Sequence, residues 1–310
     1  MQLLDRVPSF NFMGRRRGAA ALSTILILVC LAAIAARGLN FGIDFTGGVL
    51  VEVGYDGQAD LAKIRSALGN DGFDKALVQN FGTSSDVLVR LPPPDDTQTG
   101  AQVSDQLIGT LRNVDSSAQI RRVEFVGPQV GEELTEQGGL AMLFALVLIF
   151  GYVVLRFQWR YAVGAIVALV HDVVFTVGTF AIFQWPFDLS VLAAVLAVIG
   201  YSLNDTIVAF DRIRENFRNL RTGTPEAIMN LSINQMLART LITGITTLLV
   251  LIALYVLGGE AVNAFAIALI IGILVGTYSS IYVAAAVALV LGASRMDLLP
   301  PKPEEVDDMP

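Results

Sequence analysis

Cysteine and histidine, the side chains that most often bind zinc, are nearly absent from this sequence. Its 310 residues contain one cysteine, Cys30, and one histidine, His171. A lone cysteine cannot form an intramolecular disulfide, and one cysteine with one histidine cannot supply the ligands of a zinc site. The sequence therefore predicts no metal site and no other cofactor.

Charged residues are also scarce, at 16% of the chain, whereas about a quarter of the residues in a soluble domain are charged. Hydrophobic residues make up 54%, and the mean hydropathy is +0.62. The net charge of −7 disfavours a nucleic-acid partner, because binding a phosphate backbone requires a clustered basic surface. The chain is therefore predicted to lie largely within a membrane and to bind no nucleic acid.

Six apolar segments are long enough, or nearly so, to cross a membrane. About 20 helical residues span a hydrocarbon core of roughly 30 Å, so apolar runs of about 18 or more are candidates. The pattern predicts a multi-pass α-helical membrane protein with tails at 1–18 and 292–310. Its predicted helices are 19–37 and, in a five-helix membrane domain over 138–291, 138–155, 161–183, 189–210, 240–257 and 261–291.

Basic residues are concentrated in alternate connections, and cytoplasmic loops retain positive charge. We therefore predict a protein of the cytoplasmic (inner) membrane with both termini cytoplasmic and residues 38–137 extracytoplasmic. A cleaved signal peptide over 1–36 is the alternative, but its apolar run is long for one, which favours a retained anchor. The basic residues are Arg6, Arg15, Arg16, Arg17, Arg156, Arg160, Arg212, Arg214, Arg218, Arg221, Arg295 and Lys302.

Residues 38–137 have the composition of a soluble domain, with 7 basic and 15 acidic residues. Apolar periodicity predicts the order βαββαβ, typical of an α+β ferredoxin-like domain. The domain has no histidine, cysteine or phosphate-binding glycine loop, so no enzymatic activity is predicted. Its charge is interpreted as a solvated surface, or alternatively as a surface that contacts an unfolded polypeptide. The predicted elements are strands 49–55, 76–81, 87–91 and 120–126 and helices 59–68 and 103–112.

Three glycines occur in the segment that joins the first predicted helix to this domain. The segment reads FGIDFTGG and contains Gly42, Gly47 and Gly48. Glycine adopts backbone angles that other residues avoid, so the segment is predicted to form a tight turn or a hinge.

Polar and ionisable side chains interrupt the apolar helices. A charge near the bilayer centre costs about 2.5–3.5 kcal/mol on insertion scales, so such residues mark an ion or proton path by default. Helical spacing places Tyr201 on the face of Asp205 and Thr243 on the face of Arg239. The candidates for a proton relay are His171, Asp172, Tyr201, Asn204, Asp205, Arg239 and Thr243.

The simplest pairing joins Asp205 to Arg239, since both are expected in the inner halves of neighbouring helices. Three interpretations remain open. The pair is a static structural contact, or protonation of Asp205 weakens the pair and lets helices rearrange, or Asp172 and Asp205 form an intramembrane aspartyl protease. The sequence lacks the Gly-x-Gly-Asp setting of such proteases, which argues against the third.

The chain resembles the SecD/SecF family of protein-export membrane proteins, relatives of the resistance-nodulation-division transporters. The resemblance covers residues 39 to about 292. The motifs that carry it are FGIDFTGG at 41–48, VGPQVGEEL at 126–134, LVHD at 169–172, GYSLNDTIVAFDRIREN at 200–216, SINQMLART at 232–240 and GTYSSI at 276–281.

The resemblance implies a subunit that uses the proton motive force to promote preprotein export. It implies as partners a homologous SecD subunit, the SecYEG channel, YidC and the preprotein. Asp205 and Arg239 match family residues tied to proton flow. Met236, Ala238 and Gly244 depart from the hydroxyl residues common there, which puts a hydroxyl relay beside Arg239 in doubt. Half of a small-molecule or lipid exporter and a non-transducing assembly subunit are the alternatives.

Overall fold

The computed structural model describes residues 7–93, 100–220 and 222–294. The ends of both predicted tails, with Arg6, Arg295 and Lys302, therefore lie outside the described residues, as does Arg221. Six of its helical segments are long and apolar enough to cross a membrane, which confirms the predicted number. A separate α+β domain follows the first of them, as predicted.

The membrane helices differ from the prediction mainly at their ends. They are α1 (Arg16–Arg37), α5 (Pro128–Arg156), α6 (Trp159–Phe183), α7 (Leu189–Asn219) and α8 (Pro225–Leu257), followed by α9 (Glu260–Ser279), a π-helical turn (Ser280–Ala284) and α10 (Ala285–Val290).

Two helices begin well before their apolar runs. Pro128 and Pro225 each occupy the first turn of a helix, where a proline costs no hydrogen bond, and the polar residues that follow are helical too. Hydropathy alone therefore placed the starts of α5 and α8 at 138 and 240, too late in the chain.

The α+β domain follows the predicted order βαββαβ. Its four strands form an antiparallel sheet in the order β3-β4-β2-β5, and the two helices contribute to its core. Val49, Val51 and Val53 alternate toward this core and are fully buried. The elements are β2 (Gly48–Gly54), α3 (Leu61–Asn70), β3 (Leu77–Phe81), β4 (Thr83–Leu91), α4 (Gly100–Val114) and β5 (Gln119–Val126).

The segment with the three glycines docks this domain on the membrane helices. Its strand β1 (Asn40–Phe41) pairs in parallel with β6 (Pro186–Phe187), in the loop between α6 and α7. The short helix α2 (Ile43–Thr46) follows, and Asp44 Oδ2 accepts a hydrogen bond of 3.0 Å from the amide of Leu189 at the start of α7. The first turn of α7 therefore has a hydrogen-bond partner in the glycine segment.

Among the membrane helices, α7 packs against α6, α8 and α9. Close approach requires glycine on α9, because a Cβ on Gly272 would lie 2.1 Å from Val198 Cγ2 and one on Gly276 would lie 3.1 Å from Ser202 Cβ. The Gly-x-x-x-Gly pattern of α9 therefore serves helix packing, as small residues commonly do in membranes. Helix α5 packs more loosely and leaves much of its apolar surface exposed.

Candidate functional site

A buried carboxylate joins three membrane helices. Asp172, on α6, is 1% exposed, and its Oδ2 accepts hydrogen bonds from Ser202 Oγ on α7 and, at 2.7 Å, from Ser279 Oγ on α9. Its Oδ1 lies 2.9 Å from Nδ1 of the neighbouring His171. We call these four residues the Asp172 cluster. Because the serines lie on different helices, the carboxylate holds the centre of the bundle together.

The imidazole of His171 is linked to the first helix through Tyr278 of α9. Tyr278 lies 6.2 Å from the ring of His171, and its hydroxyl contacts Ser23 on α1 at 2.9 Å. Nε2 of His171 is buried with no hydrogen-bond partner in the described part of the chain. The histidine therefore holds one nitrogen against Asp172 and leaves the other unengaged.

Asp205 has a different environment on the same helix as Ser202. The residue is 5% exposed, and its Oδ2 is buried without a hydrogen-bond partner among the described residues. Tyr201 lies one turn earlier, and its hydroxyl is likewise buried and without a partner there. Asp205 can therefore gain a proton at Oδ2 without breaking a hydrogen bond of that atom.

No ion pair joins Asp205 to Arg239 among the described residues, so their pairing stays a prediction. On α8 the buried residues Met236, Thr240 and Gly244 face the bundle, whereas Arg239 is exposed. Successive helical residues are about 100° apart, so Arg239 points away from the face that Thr240 presents to the bundle. Asp205 is therefore buried inside the bundle, whereas Arg239 lies on the surface of the bundle.

Arg239 heads an exposed stripe that also contains Thr243 and Thr246, as their spacing predicted. On α7, a second exposed stripe contains Ala193, Ala197, Gly200 and Asn204. Of the predicted relay residues, the structure therefore brings His171 and Asp172 together with two serines, places Tyr201 and Asp205 nearby on α7, and leaves Asn204, Arg239 and Thr243 at the surface.

The glycines of the junction have defined conformations. Gly47 and Gly48 have φ angles of +66° and +125°, which disfavour a side chain, and a Cβ on Gly48 would lie 2.2 Å from the carbonyl oxygen of Leu91. Gly42 precedes α2 with φ −69°. The predicted tight turn is present here, and the hinge stays a prediction.

A cleft of about 660 Å³ separates the exposed face of the sheet from the membrane helices, at the ends of α6 and α8 and the starts of α7 and α9. Leu50, Leu88 and Arg90 line it from the sheet, and Trp185 and Tyr255 line it from below. Burial lowers the pKa of Arg90 from its ordinary value, but arginine stays charged at neutral pH. Its guanidinium bonds to Asn40 Oδ1 at 2.5 Å, which ties the sheet to the junction.

Ser202 and Ser279 are the residues that sequence analysis missed. Both lie inside motifs quoted above, at 200–216 and 276–281, but serine is common in membrane helices and gives no signal by itself. Ser279 lies three residues after Gly276, the glycine at which α9 packs on Ser202 of α7, and this spacing is the signal that could have found the contact.

These features define an integral membrane protein with six spans, an inserted α+β domain and carboxylates within the spans, the last being a mark of transport proteins. The family described as "Protein export membrane protein SecD/SecF, C-terminal" matches residues 106–294, and the "SecD/SecF GG Motif" matches residues 32–59. The chain belongs to the SecD/SecF family of protein-export membrane proteins.

Curated relatives match over nearly their whole length. The protein translocase subunit SecF of Vibrio alginolyticus is 51% identical over 100% of this chain and 99% of its own. That of Pseudomonas aeruginosa is 49% identical, over 98% of this chain and 99% of its own.

Solved structures of SecDF are similar as well. The crystal structure of SecDF, a translocon-associated membrane protein from Thermus thermophilus, matches with a TM-score of 0.84 and 38% identity over 94% of this chain. SecDF in its super-membrane-facing form matches with a TM-score of 0.69. In both cases this chain spans 39% of the SecDF chain.

Proposed function

We propose that this chain is a SecF-type subunit of a Sec protein translocase, which couples the proton motive force to preprotein export together with a SecD-type subunit. The observation that carries the proposal is the exposed polar stripe of Arg239, Thr243 and Thr246 in a chain whose Asp205 is buried, with no hydrogen-bond partner for Oδ2 among the described residues. Asp205 and Arg239, the two residues of the predicted ion pair, belong to this chain but are not in contact in its described structure.

The exposed stripes argue for a second membrane subunit. An arginine within a membrane helix is costly against lipid, and polar side chains there face protein or water. The small residues Ala193, Ala197 and Gly200 allow another helix to approach α7 closely. Many transporters place their path between two homologous halves. A SecD-type subunit that covers α7 and α8 would enclose Arg239 next to the Asp205 side of the bundle.

In this proposal Asp205 carries the proton and the Asp172 cluster transmits the change. Protonation removes the charge of Asp205 and with it any attraction to Arg239 in the assembled complex. Since Ser202 is one turn before Asp205 on α7, a movement of α7 would reach the hydrogen bonds of Asp172. His171, Asn204, Tyr201 and Thr243 are the further proposed members of the path.

We propose that both termini lie on the cytoplasmic side of the inner membrane, which would put the α+β domain outside. The cleft beneath its sheet combines apolar and charged walls, a combination that suits an extended polypeptide of mixed sequence. We propose that the emerging preprotein contacts this cleft. SecYEG and YidC would be neighbours of the complex, as the family resemblance implies.

Export into inverted membrane vesicles tests this function. Vesicles that contain the chain with its SecD-type partner are expected to accumulate more preprotein when a proton motive force is imposed, and an uncoupler should remove the increase. An increase of the same size in vesicles without the chain would contradict the proposal.

Cysteine crosslinking tests whether a SecD-type subunit covers the stripe of Arg239, Thr243 and Thr246. In a Cys30→Ser background, Thr243→Cys is expected to crosslink to the SecD-type subunit, because the partner covers the stripe of Arg239. Ile245→Cys is the matched control, since Ile245 is 51% exposed but is turned by about 200° from Thr243 around the axis of α8. Equal crosslinking at both positions would argue against a partner on the polar stripe.

A further inference from the structure

An apolar groove runs along the outside of the membrane bundle. Its volume is about 380 Å³, and α5 and α6 form its walls while Leu203 of α7 contributes to its floor. All the residues that line it are apolar: Leu146, Val147, Ile149, Phe150, Val153, Ala165, Ile166, Leu169, Val170 and Leu203. The groove exists because α5 packs loosely against its neighbours.

The lining and length of the groove suit a hydrocarbon chain. Along α5 the groove extends from Leu146 to Val153, and Arg156 follows one turn later. The ten helical steps from Leu146 to Arg156 rise about 15 Å, which is half of a hydrocarbon core of roughly 30 Å. The groove and the arginine that follows it therefore span about one leaflet together.

Arginines lie where the groove ends. Arg156 Nη2 contacts both carboxylate oxygens of Asp211, at 2.9 and 2.8 Å, and Arg214 Nη1 lies 3.5 Å from Asp211 Oδ1. Both guanidiniums also lie over the ring of Phe157, at 5.2 and 5.4 Å from its centre. On α7, Leu203, Phe210 and Arg214 recur at helical spacing, so Arg214 lies on the same face of α7 as the groove residue Leu203.

The arginines outnumber the carboxylate beside them. Arg156 and Arg214 share Asp211, so this cluster alone carries a net charge of +1, and Arg214 is within electrostatic range of Arg218 as well. The ion pair of Arg156 uses only Nη2, and the side chain is 39% exposed, so part of it is accessible to a ligand. Guanidinium groups bind phosphate oxygens with well-matched geometry.

We propose that this groove binds one anionic phospholipid, with an acyl chain between α5 and α6 and the phosphate at Arg156 and Arg214. The apolar walls explain the acyl chain, and the excess positive charge at one end explains the preference for an anionic headgroup. The lipid would fill the gap that loose packing leaves and hold the inner end of α5 against α7. If Arg156 and Arg214 only set the orientation of the chain in the membrane, no apolar groove would be needed next to them.

Native mass spectrometry of the full-length chain in detergent tests the site with dioleoyl phosphatidylglycerol. We expect wild-type protein to retain one lipid, and Arg156→Gln with Arg214→Gln to retain it about tenfold less. Arg15→Gln with Arg17→Gln is the matched control, because it removes two exposed arginines near the start of α1, the same membrane side. Retention in that control should equal wild type.

A second variant probes the groove without any change in charge. Val170→Trp would fill the groove at its rim, where Val170 is 52% exposed, and is expected to reduce retention severalfold. Val167→Trp lies outside the groove at 41% exposure and should have no effect. Glycerol 3-phosphate, which has no acyl chain, should not displace the lipid at millimolar concentration.

Three results would overturn the proposal. They are equal retention of dioleoyl phosphatidylcholine and phosphatidylglycerol by wild type, retention by the double arginine variant within twofold of wild type, and displacement of the lipid by glycerol 3-phosphate. If the arginine variant does not fold, the comparison of Val170→Trp with Val167→Trp decides. Equal retention by those two variants would also contradict the site.

Discussion

Replacing Asp205 with asparagine is expected to abolish the increase in preprotein export that the proton motive force produces, while the chain still inserts and assembles. The amide has nearly the same size as the carboxyl group but cannot gain or lose a proton. Because Oδ2 of Asp205 has no hydrogen-bond partner in the described structure, the substitution breaks no contact of that atom. It also removes the cost of a charge in the membrane, about 2.5–3.5 kcal/mol on insertion scales.

The measurement compares export into inverted vesicles with and without an uncoupler at equal amounts of the complex. Asp188→Asn is the matched control on the same helix. Asp188 caps α7 by accepting a hydrogen bond of 2.9 Å from the amide of Val191, and asparagine is an equally good cap. An Asp205→Asn variant that keeps its full increase would refute the relay. A loss that only parallels reduced abundance would indicate an assembly role instead.

Replacing Asp172 with leucine is expected to destabilise the membrane bundle. The change removes the acceptor for Ser202 on α7 and Ser279 on α9 together. Hydrogen bonds between membrane helices contribute about 0.6 kcal/mol on average and up to about 1.7, so the loss of two gives roughly 1–3 kcal/mol. Thermal unfolding of the detergent-solubilised chain should show a lower Tm.

Thr176→Val is the control for this effect. Thr176 is fully buried on the same helix, but its hydroxyl bonds only to the carbonyl oxygen of Asp172, at 2.8 Å and within α6. Its loss should change Tm much less. Ser279→Ala combined with Asp172→Leu should cost less than the sum of the single changes, because both remove one shared bond. Strict additivity would mean that the bond contributes nothing to stability.

The six spans could be predicted because long apolar runs in lipid have few alternatives to a helix. The starts of α5 and α8 could not, since their first turns are polar and depend on Pro128 and Pro225 as helix starters. The order βαββαβ could be predicted from periodicity. The pairing of β1 with β6 could not, because each strand has two residues and the partners lie far apart in sequence.

The candidate site likewise has features that could be predicted from the sequence and features that could not. The residue types Asp172 and Asp205 stood out because charge is rare in membrane helices. The partners of Asp172 did not, since Ser202 and Ser279 lie 30 and 107 residues away along the chain. The direction in which Arg239 points could not be predicted from the sequence either. Its stripe was correctly predicted, but periodicity does not tell whether a face meets its own bundle or another subunit.

Proton movement through the assembled complex is the most direct test of the central claim that Asp205 carries the proton. The chain and its SecD-type partner would be reconstituted in liposomes with a pH-sensitive dye inside, a pH gradient imposed, and the internal pH followed with and without a translocating preprotein. The account predicts preprotein-dependent proton entry with wild-type and Asp188→Asn protein and none above background with Asp205→Asn. Equal proton entry with Asp205→Asn and wild type would contradict it.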